Sequence, residues 1–192
     1  MMFKKITALF SLIILINSCV NQIEKKEDSL KNDSAKIVLG SDCKLLYAEA
    51  RRLDSVLQKI NSVDYELAEI AMNAFNNYSS ACPSDSLAPL FLLKAGQVAQ
   101  SVGKFQQSEI FYKKCSDDFP LFRNRGVALF LLAQLYDDAI KLNNESKAEE
   151  IYKQIIKDYP NSPWERDSKA CLKSLGKTDE QLIQEFLKQT NK

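Results

Sequence analysis

Three segments of the chain carry one pattern: AMNAFNNYSSACP at 71–83, SEIFYKKCSDDFP at 108–120 and AEEIYKQIIKDYP at 148–160. Each opens on a small residue (Ala71, Ser108, Ala148) and places an aromatic four positions later (Phe75, Tyr112, Tyr152). Each closes on a proline eight positions beyond the aromatic (Pro83, Pro120, Pro160). The prolines stand 37 and 40 residues apart, a period that signals a repeat architecture. A small residue lets the two helices of a hairpin approach closely, and the aromatic fills the gap towards the next hairpin. Proline ends the second helix, because it lacks an N–H and disfavours helix in the residue before it.

Outward from these segments the apolar residues keep helical spacing. Leu46, Ala50, Leu53, Leu57 and Ile60 form one stripe, and after Asn61-Ser62 a second stripe runs through Ala68, Ala71, Phe75 and Tyr78. The spacing predicts helix pairs at 43–60 with 64–80, 87–102 with 105–117, and 124–142 with 145–158, then a helix over 163–175. Segment 127–140 is apolar on most sides, as suits a helix with several neighbours. Thr178-Asp179-Glu180-Gln181 has capping-box spacing and opens a last short helix with the stripe Leu182, Ile183, Phe186 and Leu187. That helix is expected to cover the open end of the stack. No stretch alternates with period two for long enough to suggest a strand. The expected class is all-α.

The pattern resembles the tetratricopeptide repeat, whose second helix runs A-x3-F…P. Ala71 and Phe75 match it outright and the other units match in kind. The first-helix half is looser: Leu92, Ala95, Gly96 and Ala99 fit it, as do Leu132, Leu135, Tyr136 and Ala139, with Trp164 at the Trp position of a last unit. The resemblance implies a TPR-like α-α superhelix of about three helical hairpins plus a C-terminal capping helix. YPNSPWERDS at 159–168 and PSDSLAP at 83–89 also look like the divergent repeats of bacterial envelope lipoproteins. Those include the helical lipoprotein of the outer-membrane barrel-assembly machinery and the Tol-Pal-associated periplasmic repeat proteins.

The first residues point the same way. Lys4 and Lys5 precede an apolar run of 11 residues from Ile6 to Ile16, too short to span a bilayer but of secretory-signal length. The run ends in Ile16-Asn17-Ser18-Cys19, which resembles a lipoprotein signal and implies lipidation of Cys19; Ile16 and Asn17 depart from its commonest form. An ordinary cleaved signal or an anchor helix fits the same run. The expected division is a signal peptide at 1–18, lipidated Cys19 with a polar tether at 19–41, and a repeat domain at 42–192. Residues 20–36 are polar, charged and free of aromatics, the composition of a solvated tether.

Composition narrows the chemistry. The 192 residues include 26 Lys+Arg against 25 Asp+Glu and no His, so neither a nucleic-acid footprint nor His-dependent catalysis or His-ligated zinc is available. The acid pairs Asp117-Asp118, Asp137-Asp138 and Glu149-Glu150 occupy adjacent helical positions about 100° apart and do not converge on one substrate atom. The GKT at 176–178 lacks the upstream glycine of a phosphate loop. Four cysteines remain beside Cys19, with no C-x-x-C. The midpoint between Cys43 and Cys82 falls in the turn at 61–64, so an antiparallel hairpin permits a disulfide; two separate thiols satisfy the spacing equally. Cys115 and Cys171 read as small core residues. No cofactor, metal or catalytic group is expected.

These observations point to a lipid-anchored envelope scaffold that binds another envelope protein or peptide segment through a concave groove lined by first helices. Counting along the repeat makes Gln97, Gln100, Ser101, Asp137, Lys141, Lys169 and Lys173 the candidate contacts. A cell-wall-associated envelope enzyme and a passive structural spacer are the alternatives.

Overall fold

The computed structural model describes residues 42–190. The expected signal peptide at 1–18, Cys19 and the expected tether lie outside the described residues. Within them run α1 (Cys43–Leu57), α2 (Tyr65–Ala81), α3 (Ala88–Ser101), α4 (Phe105–Asp117), α5 (Arg125–Asp137), α6 (Glu145–Asp158), α7 (Pro163–Ser174) and α8 (Asp179–Thr190), with no strand among the described residues.

Local chemistry sets the ends. Asp64 Oδ1 accepts from Leu67 N–H at 2.8 Å to open α2, and Asn144 and Ser162 accept from Lys147 and Glu165 to open α6 and α7. Pro163 follows the Ser162 cap at the first turn of α7, where its missing N–H is harmless. At α8 the capping box is reciprocal: Gln181 N–H donates to Thr178 Oγ1 at 3.3 Å, and Thr178 N–H donates to Gln181 Oε1 at 3.0 Å. Cys82 and Tyr159, each just before a proline, leave helical space at φ −125°, ψ 52° and φ −128°, ψ 56°.

Two helices stop short of their expected ends. α1 closes at Leu57 and α5 at Asp137, whereas the apolar spacing runs on to Ile60 and Leu142. Beyond α5, Asp138 Oδ1 accepts from Ile140 N–H at 2.9 Å, and Asn143 takes a left-handed φ of 47°. The aspartate side chain offers the backbone a turn in place of the next helical bond. Ile140 ends 87% exposed.

Consecutive helices from α1 to α7 pack on one another, and α5 also touches α7. The odd helices form one layer. Tyr47 of α1 meets Phe91 of α3 edge-on at 6.2 Å, Asp54 pairs with Lys94, and Phe130 of α5 lies 5.7 Å from Trp164 of α7. The even helices form the other, with Lys114 of α4 donating to Asn76 of α2 and Lys147 of α6 pairing with Glu109 of α4. Between the layers the repeat positions Ala71, Ser108, Ala148, Phe75, Tyr112 and Tyr152 are fully buried.

Phe75 reaches forward to Phe91 of the next hairpin at 5.2 Å, as its role requires. Tyr112 turns back instead onto Gly96 of its own hairpin, where Ser108 Oγ also donates to the Gly96 carbonyl at 2.8 Å. The terminal α8 keeps Ile183, Phe186 and Leu187 at 57%, 64% and 46% exposure.

Candidate functional site

The seven candidate contacts fall on or just after the odd helices, but they are not equally available. Tyr112 donates its hydroxyl to Gln100 Oε1 at 3.1 Å, and Tyr152 donates to Asp137 Oδ2 at 3.1 Å. Ser101 Oγ donates to the Val98 carbonyl at 2.8 Å. Lys141 pairs with Asp138 at 2.8 Å and Lys169 with Glu165 at 2.6 Å. Gln97 on α3 and Lys173 on α7 are exposed. Five of the seven are therefore engaged within the chain, and a partner would have to compete for them.

Sequence spacing could not show a buried ion pair in the same layer. Lys94 donates to Asp54 Oδ1, whose second oxygen takes Gln58 Nε2 at 3.0 Å. Their side chains are 25% and 10% exposed, so the pair ties α1 to α3 from a largely desolvated position. Tyr136 of α5 reaches to the even layer and donates to Glu109 of α4, while Lys147 of α6 sits 4.7 Å above the Tyr136 ring. Burial first, then the Glu109 carboxylate, raises the Tyr136 hydroxyl well above its ordinary range.

The acid pairs are occupied by ordinary helix chemistry. Asp117 meets Lys113 at 3.4 Å and Glu149 meets Lys153 at 2.7 Å, each one turn away. The Lys141 hydrogen bond, helped by the Ile140 amide, holds the Asp138 carboxyl below its usual value. Among the described residues no group of three or more His, Cys, Asp or Glu is placed to hold a metal ion. None of their helices is long and apolar enough to cross a membrane.

Cys43, the first residue of α1, is joined to Cys82, the C-cap of α2, with their Cα atoms 6.0 Å apart. Cys43 is exposed and Cys82 is 5% exposed. Cys115 and Cys171 are free thiols. Burial pushes the Cys115 thiol up to about 12, and it donates to the Pro89 carbonyl at 3.3 Å.

One recess escaped the sequence pattern. The connections at 82–87 and 118–124 flank an open recess of about 590 Å³, lined mainly by Pro83, Pro89, Phe119, Pro120, Leu121 and Phe122. Leu121 is 97% exposed at its rim. The available signal was an apolar Leu-Phe directly after the helix-ending Pro120, where a connection would ordinarily be polar.

Residues 127–162 match the family model described as tetratricopeptide repeat. The match begins within α5, takes in α6 and stops before α7, so it covers one hairpin of the stack. A comparison with curated proteins gives no match. Eight helices, the first seven packed in chain order in two layers, with one unit similar to that repeat, make the described fold an all-α, TPR-like helical solenoid. Repeats of this kind serve as protein–protein interaction scaffolds.

Proposed function

We propose that this chain is a lipid-anchored adaptor of the bacterial cell envelope that binds an extended peptide or helix of another envelope protein along its odd-helix face. The observation that carries the interaction role is the stack itself. It holds α3, α5 and α7 in one layer and leaves Gln97 and Lys173 exposed there. Anchoring rests on the residues themselves: the Lys4-Lys5 start, the apolar run to Ile16 and the small residue before Cys19. Several acyl chains on Cys19 hold a protein to a bilayer far more firmly than one, since each buried CH2 contributes ~0.8 kcal/mol. Outer-membrane assembly or envelope maintenance is the setting that the lipoprotein resemblance suggests.

Two experiments test the halves separately. Metabolic labelling with a fatty-acid analogue should mark the wild type and miss Cys19→Ser; equal labelling refutes the anchor. A photo-crosslinking residue at Gln97 or Lys173 should capture one defined envelope protein in whole cells, while the same residue at Ile110 on the even layer should not. Equal capture from both layers, or none, refutes the groove.

A further inference from the structure

We infer that the Cys43–Cys82 disulfide is a redox latch on a detachable first helix. α1 is weakly seated by burial: Ala50, Leu53 and Asp54 are its buried residues, whereas α3 buries eight. Its one extensive helix neighbour is α2. Two clasps hold it. At its N-terminal end the disulfide ties Cys43 to the end of α2, and at its C-terminal end Asp54 pairs with Lys94 of α3. Between them Tyr47 covers an aromatic cluster, lying 5.6 Å from Tyr78 and 6.2 Å from Phe91, with Phe75 buried beside Phe91. Lifting α1 uncovers that cluster and the adjoining side of α2, while the hairpins beyond keep their own neighbours. In a solenoid each unit rests on the next, so an end unit can open alone.

The two sulfurs differ in access, which gives the exchange a direction. Cys43 is exposed and Cys82 is buried. A thiolate of a dithiol reductant attacks Cys43 Sγ, the S–S bond breaks, and Cys82 leaves as a thiolate and takes a proton. The reductant's second thiolate then attacks its own sulfur in the mixed disulfide and becomes an internal disulfide. Cys43 is released and protonated, and two electrons have passed from the reductant to the protein.

Hydrogen exchange on the full chain, oxidised and then reduced with a small dithiol, reads the latch directly. Amides of α1 should exchange at least about tenfold faster after reduction, and α2 should loosen along its Tyr78 side. α5, α6 and α7 should be unchanged, and reoxidation should restore protection. Cys43→Ser should behave as the reduced wild type, and adding Lys94→Met should open α1 further. Unchanged exchange in α1 on reduction overturns the latch. So does a uniform loss across all helices, because the bond would then staple the whole stack rather than one helix.

Discussion

Gly96 is the position at which a single methyl tests the packing of the repeat. A Cβ there would lie well inside van der Waals contact of Tyr112 Cε1 and Cδ1, and 3.0 Å from Cζ. The ring has little room to withdraw, because Tyr112 is fully buried and its hydroxyl is bonded to Gln100. Nor can α4 move off freely, because Ser108 Oγ grips the Gly96 carbonyl at 2.8 Å. Overpacking of this kind costs ~1–3 kcal/mol, and losing the Tyr112–Gln100 bond adds ~1 kcal/mol. Against this, alanine is a better helix former than glycine by ~1 kcal/mol. Gly96→Ala should therefore destabilise the chain by ~1–3 kcal/mol in urea unfolding.

The decisive measurement is a double-mutant cycle with Tyr112→Ala. With the ring gone, Gly96→Ala should become neutral or stabilising by ~0.5–1 kcal/mol, leaving a coupling of ~1 kcal/mol or more between the two sites. Gly103→Ala is the control. Its cost comes from a left-handed φ of 75° with open space around the Cα, and it should not depend on Tyr112. A Gly96→Ala protein as stable as wild type, or an additive cycle, would show that α3 and α4 do not approach as closely as described.

Other outcomes follow from the same geometry. Closing a loop across 39 residues removes denatured-state entropy worth ~4 kcal/mol in the chain-entropy model, so Cys43→Ser should lower the stability of the α1–α2 hairpin, read from its amide exchange, by up to that amount under oxidising conditions and by little under reducing ones. Lys94→Met leaves the mostly buried Asp54 with Gln58 alone and should cost ~1–3 kcal/mol, with Asp54→Asn in the same chain recovering part of it. Alkali should unfold the chain. Tyr112 and Cys115 are both raised to about 12 by burial, so each keeps its proton in the folded state after the unfolded chain has lost it. Stability is whole below the unfolded values, near 9–10, and falls towards pH 12 by ~1.4 kcal/mol per unit for each group. Urea titrations at pH 8, 9.5 and 10.5 should show the decline, shallower in Cys115→Ala; a flat profile would contradict the burial.

Much of the fold was legible because helix ends and hairpin contacts are local. Proline acts on its own neighbour and an amphipathic stripe needs only its own turn, so α2, α4, α6 and α7 fall within a residue or so of where spacing puts them. The end of α5 was not legible by spacing. Ile140 and Leu142 continue the helical period, yet Asp138 diverts the backbone through its own side chain, a competition that hydrophobic periodicity does not register. Asp54 was hidden for the opposite reason. It sits beside Leu53 on an otherwise apolar stripe, and its partner Lys94 lies 40 residues away in the next hairpin.

The candidate surface was less legible because the aromatic at the repeat position changes its demands with one hydroxyl. Phe75 asks for nothing beyond apolar neighbours, but Tyr112 and Tyr152 bury a phenol that must find an acceptor. Each takes it from the first helix of its own hairpin: Gln100 of α3 in one, Asp137 of α5 in the other. A residue counted as a groove contact is thus consumed wherever the repeat carries Tyr rather than Phe. Tyr152→Phe should then cost only ~0.5–1.5 kcal/mol, since the ring stays packed against Phe130 at 6.0 Å and Asp137 remains half-buried but near water. It should also release Asp137 to the odd-helix face. If that face binds a partner, crosslinking from position 97 or 173 should change in yield in Tyr152→Phe and not in Tyr136→Phe, whose hydroxyl serves Glu109 on the even layer. Equal effects of the two substitutions would mean that the phenols act only through stability, and that the surface lies elsewhere.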